Sequence, residues 1–196
     1  MLAWHVHYWD HLGWKDPFGD KEHAQRQALY ARAAGSKDRF TPQFLADGAG
    51  VSAHRLLAAV EKGSDKRPVL AIEAQMARRE EKGKTVTAAV RITRLGQDPI
   101  PDDAQVLAVL FQRSSETRCT AGENKGETLR EHFIARKTAG PFPLAPFLTA
   151  EEGSPGIQFD LPADAAADDL GIIIIVEDPR AMTPIECRSF PVKGKE

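Results

Sequence analysis

Histidines and carboxylates gather near the start of this sequence. His5 and His7 stand two residues apart, Asp10 and His11 follow, and His23 comes soon after. On a strand, positions 5 and 7 would point to one face. Two imidazoles and a carboxylate form a donor set that zinc accepts at about 2.0–2.2 Å. His5, His7 and Asp10 are therefore the candidate metal ligands of a metal-dependent enzyme. Against that reading, no His-Glu-x-x-His helix motif or Cys-rich pattern accompanies them. The same spacing suits a half-buried His5 that hydrogen-bonds within the fold while His7 and His11 stay partly solvated. No cofactor is expected.

Thiol chemistry has little to work with. Cys119 and Cys187 are the two cysteines, and both fall in strand-like segments. Thiol–disulfide exchange needs an accessible low-pKa thiolate with a resolving partner close by, and this spacing supplies none. A structural disulfide between Cys119 and Cys187 would close a long loop and add about 4 kcal/mol; in a reducing compartment both would remain thiols. No Ser-His-Asp arrangement emerges from the spacing. Gly122-Glu123-Asn124-Lys125-Gly126 lacks the Gly-Lys-Ser/Thr ending of a phosphate loop, and its glycines predict left-handed positions in a structured turn. No catalytic residue is assigned, and whether the chain is an enzyme stays open.

The third resource is aromatic. Trp4, Trp9 and Trp14 lie with Tyr8 and Phe18 in one short stretch. Such a patch either packs into a core or forms a binding surface for a protein or peptide partner. His5, Tyr8, Trp9, Trp14 and Phe18 are the candidate binding face. Left exposed, so much apolar surface would promote self-association.

The elements that must position these residues read as two kinds of structure. Leu2 to Trp9 is strand-like. Asp20 can cap a helix from Lys21 to Ala34, with Ala24, Ala28, Leu29 and Ala31 as its apolar stripe and Gly35 as its stop. Gln43 to Ala46 reads as a short strand ending in an Asp47-Gly48 hairpin turn. Ser52 can cap a helix, Ala53 to Glu61, with Leu56, Leu57 and Val60 on one face. After a linker at Gly63-Ser64-Asp65-Lys66-Arg67-Pro68, about seven short strands follow, one pair joined at Glu81-Lys82-Gly83-Lys84. Arg130 to Lys137 fits helix or strand, and the proline-rich Lys137 to Pro146 reads as a stiff connector. Ile172 to Val176 is apolar on both faces and would be the most buried strand. The expected organisation is an α/β domain over 1–64 and a β-sandwich-like domain over 65–196.

Length and composition agree with this. A chain of 196 residues can bury roughly 70% of its unfolded surface without a metal or disulfide staple. Lys plus Arg total 26 and Asp plus Glu total 28, a net charge of −2; that balance argues against a general nucleic-acid binder. The longest apolar run, Gly171 to Val176, is far shorter than the ~20 residues of a membrane-spanning helix. No secretory signal opens the sequence, so as written it reads as cytoplasmic.

Three blocks resemble a known family. His5-Val6-His7-Tyr8-Trp9-Asp10 with Leu12-Gly13-Trp14-Lys15-Asp16-Pro17-Phe18 looks like the central signature of the domain-of-unknown-function 1223 family. Arg39-Phe40-Thr41-Pro42-Gln43 with Asp47-Gly48, and Gly122-Glu123-Asn124-Lys125-Gly126-Glu127-Thr128-Leu129, agree in order and spacing. The resemblance implies a thioredoxin-like domain followed by a β-rich one, in exported bacterial proteins that are periplasmic or secreted. It makes Thr41, Pro42 and Gln43 the cis-proline loop. The sequence departs from the family in two ways. The family's Cys-x-x-Cys segment would lie ahead of the His5 block, where only Met1 to Trp4 stand, and the family usually has Asp at the position of His7 and Tyr at that of His11.

Two readings of function follow. One is a non-catalytic binding or assembly module built on a partial thioredoxin-like domain, with no redox activity of its own. The other treats Met1 as internal or mis-assigned, and the chain as part of an exported thiol–disulfide protein whose cysteine pair lies upstream.

Overall fold

The computed structural model describes residues 1–64, 66–79, 84–148 and 155–192. Helix α1, Lys21–Ala33, starts where the Asp20 carboxylate accepts the Glu22 N–H at 2.7 Å, satisfying one of the free first-turn donors. It stops at Gly35, whose φ of +71° lets Ser36 N–H reach Ala31 O and Gly35 N–H reach Arg32 O, a Schellman closure. Strands β1, Phe44–Ala46, and β2, Ala49–Val51, form a hairpin around Asp47 and Gly48. Both turn residues are left-handed, at φ 50° and 79°, as a two-residue hairpin turn matching strand twist demands. A 3-10 turn, Ala53–Arg55, then leads into helix α2, Leu56–Ser64.

The remaining strands form two antiparallel sheets. β3 (Leu70–Arg79), β4 (Thr85–Arg94) and β7 (Gly156–Asp160) make a sheet in the order β3-β4-β7. β5 (Gln105–Arg118), β6 (Thr128–Pro143), β8 (Leu170–Asp178) and β9 (Thr183–Pro191) make the other, in the order β6-β5-β8-β9. A short helix, α3, Ala145–Leu148, follows β6. Alternate residues from the two sheets meet in the main core: Ile72, Val86, Val90 and Ile92 from one, Val106, Leu110, Ile172, Ile174 and Val176 from the other. Each such aliphatic side chain contributes about 1.5–3 kcal/mol by leaving water.

The outer face of the four-stranded sheet is covered as well. Leu107, Val109 and Ala135 are buried there beneath Leu2 and Trp4, with Ile173 and Ile175 alongside. This second covering explains why β5 and β8 are apolar on both faces: even-numbered residues pack between the sheets, and odd-numbered ones pack under the N-terminal segment.

Several expectations are corrected. Leu2 to Trp9 is not a strand. Ala3 alone joins a sheet, beside Ile134, and a 3-10 turn runs from His7 to Leu12, closed by Gly13 at φ +103°. Ala3 takes one bond from each side, its N–H to Phe133 O and its C=O from Ala135 N–H. They are available because β6 is the edge strand of its sheet, with unpaired backbone groups on its outer side, and beyond them tertiary contacts override β propensity. On α1, Leu29 lies outside the buried set of His23, Ala24 and Ala31 and is 45% exposed. On α2, Leu57 and Val60 face outward, and Ser52 makes no side-chain cap bond. The ambiguous Arg130 to Lys137 is strand, and Lys137 to Pro143 continues β6 instead of acting as a connector. Residues 81–83 of the expected β3–β4 turn and Asp65 of the linker lie outside the described residues. The Thr41–Pro42 and Gly140–Pro141 peptides are cis. Among the described residues no helix is long and apolar enough to cross a membrane.

Candidate functional site

The N-terminal block is fastened to the sheet by a buried ion pair. From α1, the Arg26 guanidinium grips the Glu177 carboxylate on β8 through two bonds, at 3.1 and 2.5 Å. It also donates to Tyr30 Oη at 2.9 Å and lies over the Trp4 ring. Glu177 is 1% exposed, and the bidentate guanidinium supplies the counter-charge and hydrogen bonds that water cannot reach it to provide. Burial opposes the charge on Arg26, yet the Glu177 bond and nearby Tyr30 outweigh that and hold its pKa above the usual value.

Beside this pin lies an acid–base cluster. His5 Nδ1 is 2.7 Å from Asp16 Oδ2 and 3.8 Å from Glu131 Oε1 on β6. Asp16 Oδ1 accepts the Phe18 N–H at 2.8 Å, and Glu131 Oε2 accepts the Thr117 hydroxyl at 3.0 Å. Burial would lower the His5 pKa, but Asp16 and Glu131 together raise it. Asp16 is lowered: desolvation opposes, and the His5 and backbone bonds prevail. Glu131 is raised, chiefly by burial and then by the charge of Asp16. Cys119, buried near these carboxylates, has its thiol pushed up by burial and by Glu131. That is the reverse of an activated nucleophile.

An aromatic surface forms on the far side of the block. In the 3-10 turn Trp9 is 46% and Leu12 55% exposed, and Phe40 nearby is 56% exposed. Trp9 Nε1 donates to Thr41 Oγ1 at 3.0 Å, and His11 stacks against the Trp9 ring. Gln27 on α1 ties the parts together: it accepts from Tyr8 Oη, and it donates to Phe40 O and Gln43 Oε1. Trp9 and Phe40 are thus held half out of water on a hydrogen-bonded frame, and Leu12 is exposed three residues after Trp9 in the same 3-10 turn.

The structure divides the residues singled out from sequence. Of the five candidate face residues, Trp9 is exposed, Tyr8 is half-buried in the Gln27 frame, and Phe18 is buried. His5 and Trp14 sit half-buried toward β5 and β6. Leu12 and Phe40 were missed; each is a lone hydrophobe beside turn residues, and only the fold shows that no core claims it. His5, His7 and Asp10 do not converge. His5 turns to Asp16, Asp10 accepts the Asp16 N–H, and no group of three potential ligands suited to a metal occurs among the described residues. The disulfide is also corrected, since both cysteines are free, Cys119 buried and Cys187 exposed. Cys187 sits across from Ile175, and Ile175 across from Leu107. The strand from Leu107 to Cys119 then separates the thiols by roughly 30–40 Å at about 3.3 Å per residue, whereas a disulfide needs Cα atoms within about 7 Å.

The family model described as "Protein of unknown function (DUF1223)" matches residues 1–177. The chain belongs to the DUF1223 family. No curated protein matches it in sequence. Protein AGR_C_4864 from Agrobacterium tumefaciens has a similar crystal structure, with a TM-score of 0.57 at 17% identity over 100% of this chain and 81% of that one. HBP35 of Porphyromonas gingivalis is similar with a TM-score of 0.59 at 11% identity, over 87% of this chain and 58% of that one. At such identities the likeness is one of fold alone.

The sequence blocks by which this chain resembles DUF1223 meet in space. Trp9 of the first block bonds Thr41 of the second, and Gly13 and Trp14 of the first lie against Gly122 of the third. Gly122 has φ +72°, and a Cβ there would stand 3.0 Å from Trp14 Cβ and 3.2 Å from Trp14 N. Gly122→Ala is therefore expected to cost about 1–3 kcal/mol, combining left-handed strain with displacement of Trp14. Gly126→Ala shares the left-handed strain but has nothing within 4 Å of its Cβ. Denaturant unfolding of both should show Gly122→Ala as the more damaging; equal losses would mean that the Trp14 contact contributes nothing.

Proposed function

We propose that this DUF1223 protein is a non-catalytic binding or assembly module of the bacterial envelope. In this reading residues 1–64 form a partial thioredoxin-like unit carried on a β-sandwich of residues 65–196, and the unit presents Trp9, Leu12 and Phe40 to a protein or peptide partner. The observation that carries the reading is the half-exposure of these three side chains, with Trp9 and Phe40 fixed by one hydrogen-bonded frame and Leu12 in the same 3-10 turn as Trp9. Surface hydrophobes held in place lose little freedom on binding, and tryptophan at the centre of a patch is the residue type most often decisive for affinity. The family resemblance adds the neighbouring Thr41-Pro42-Gln43 loop, the position that faces the active site in thioredoxin-like folds. The chain's own two thiols support no exchange chemistry, one being buried with a raised pKa and the other distant on β9.

The reading is tested with an array of unstructured peptides of varied sequence. The wild-type protein should bind a subset, and Trp9→Ala should weaken that binding roughly 30-fold, the equivalent of about 2 kcal/mol. Leu57→Ser, on the exposed side of α2, should leave it unchanged. Failure to bind any peptide or itself, or equal binding by Trp9→Ala, would overturn the reading. Loss of self-association in Trp9→Ala would identify the partner as a second copy.

A further inference from the structure

We propose that the N-terminal segment through Phe18 is a proton-operated latch, closed while His5 carries a positive charge between Asp16 and Glu131 and loosened when that charge is lost. The proposal stands independently of the binding reading. Its basis is the placement of the ring: one carboxylate comes from the segment itself and the other from β6, so protonated His5 joins the two across their interface. A neutral ring can still donate from Nδ1 to Asp16. What disappears is the cation, leaving two partly buried carboxylates facing each other where solvent screening is weak.

The surroundings allow no ready substitute for that charge. From β5, Thr117 offers Glu131 a neutral hydroxyl, and Cys119 lies near both carboxylates. From the segment, Asp10 accepts the Asp16 N–H, and Phe18 meets the His5 ring edge-on at 5.5 Å. Arg136 on β6 lies over Phe18, but its guanidinium is bound to Asp164 and Gln112. From α1, His23 Nδ1 donates to the His5 carbonyl at 2.9 Å, with Asp20 and Glu22 nearby. Burial lowers the His23 pKa, and the charge of His5 adds to that.

The two histidines act on opposite sides of their common reference value of 6.5. His5, raised in the fold, contributes stability that is complete below 6.5 and lost as pH rises through its folded value. His23, lowered, contributes stability that is complete above 6.5 and lost as pH falls through its folded value. The latch therefore opens on the alkaline side through His5. Opening lifts Leu2 and Trp4 from Leu107, Val109 and Ala135.

Hydrogen exchange of the full chain tests this at the amides of Ala3, Asp20 and Ala135, whose acceptors are Phe133 O, His5 O and Ala3 O. Between about pH 6 and pH 9 their protection factors should fall at least roughly fivefold relative to the Ile174 amide in β8. In His5→Gln the fall should be absent. In Glu131→Gln its midpoint should move to lower pH, and this variant decides the matter if His5→Gln does not fold. Protection that stays level to pH 9 in the wild type, an identical fall in His5→Gln, or an unmoved midpoint in Glu131→Gln would overturn the proposal.

Discussion

Replacing Glu177 by Ala is expected to lower the unfolding free energy by about 3–5 kcal/mol, because the Arg26 guanidinium is then left buried without its counter-charge. For a chain of this size that corresponds to a loss of roughly 6–20 °C in Tm. The penalty arises from desolvation more than from loss of attraction. Arg26 is 13% exposed, with Trp4 and Tyr30 against it, so water cannot replace the carboxylate. The double variant Arg26→Met with Glu177→Leu removes both charges and should recover much of the loss. Urea unfolding followed by tryptophan fluorescence measures all three. A loss below about 1 kcal/mol in Glu177→Ala, typical of exposed pairs, would show that this pair does not fasten α1 to the sheet.

Gly48→Ala is the second large effect. Gly48 has φ +79°, and an added Cβ would overlap the Met182 carbonyl oxygen and stand 3.1 Å from Thr183 Cα. Met182 is itself left-handed, at φ 52°, so neither backbone can yield easily. Left-handed strain and forced separation together should cost about 2–4 kcal/mol. Gly50→Ala, two residues on in β2, has nothing within 4 Å of its Cβ and should stay within about 0.5 kcal/mol of wild type. The hairpin follows directly from the Thr41 loop, so Gly48→Ala should also disturb the Trp9–Thr41 bond. Thermal melts of the two variants give the comparison, and equal stability would mean that the hairpin does not rest on the β8–β9 turn.

Local rules carried the sequence reading where local chemistry decides the structure. Asp20 and Gly35 bound α1 because a carboxylate can cap a first turn and glycine can adopt a positive φ. Asp47-Gly48 makes its hairpin for the same backbone reason. Ile172 to Val176 was readable as a doubly buried strand, although its second covering layer was not: odd-numbered residues say that something packs on them without saying what. Leu2 to Trp9 misled because its apolar and aromatic composition matches a strand, while the actual path depends on the open edge of β6 far along the chain. That error also placed His5 and His7 on one face and suggested a metal site. The Glu131 partner of His5 and the Glu177 partner of Arg26 were beyond reach, since charges so distant in sequence pair only once the sheet order is known. The exposed face was half legible. Trp9 was named for its type, whereas Leu12 and Phe40 are identified by what fails to cover them.

The claim that Trp9, Leu12 and Phe40 form the binding face is tested most directly by NMR of the tryptophan indole N–H groups during titration with a bound peptide. The Trp9 indole, hydrogen-bonded to Thr41 at the surface, should shift progressively, while the Trp4 indole, packed against Leu107, Val109 and Ala135, should not. Saturable binding that leaves the Trp9 signal in place would contradict the account and move the binding surface elsewhere.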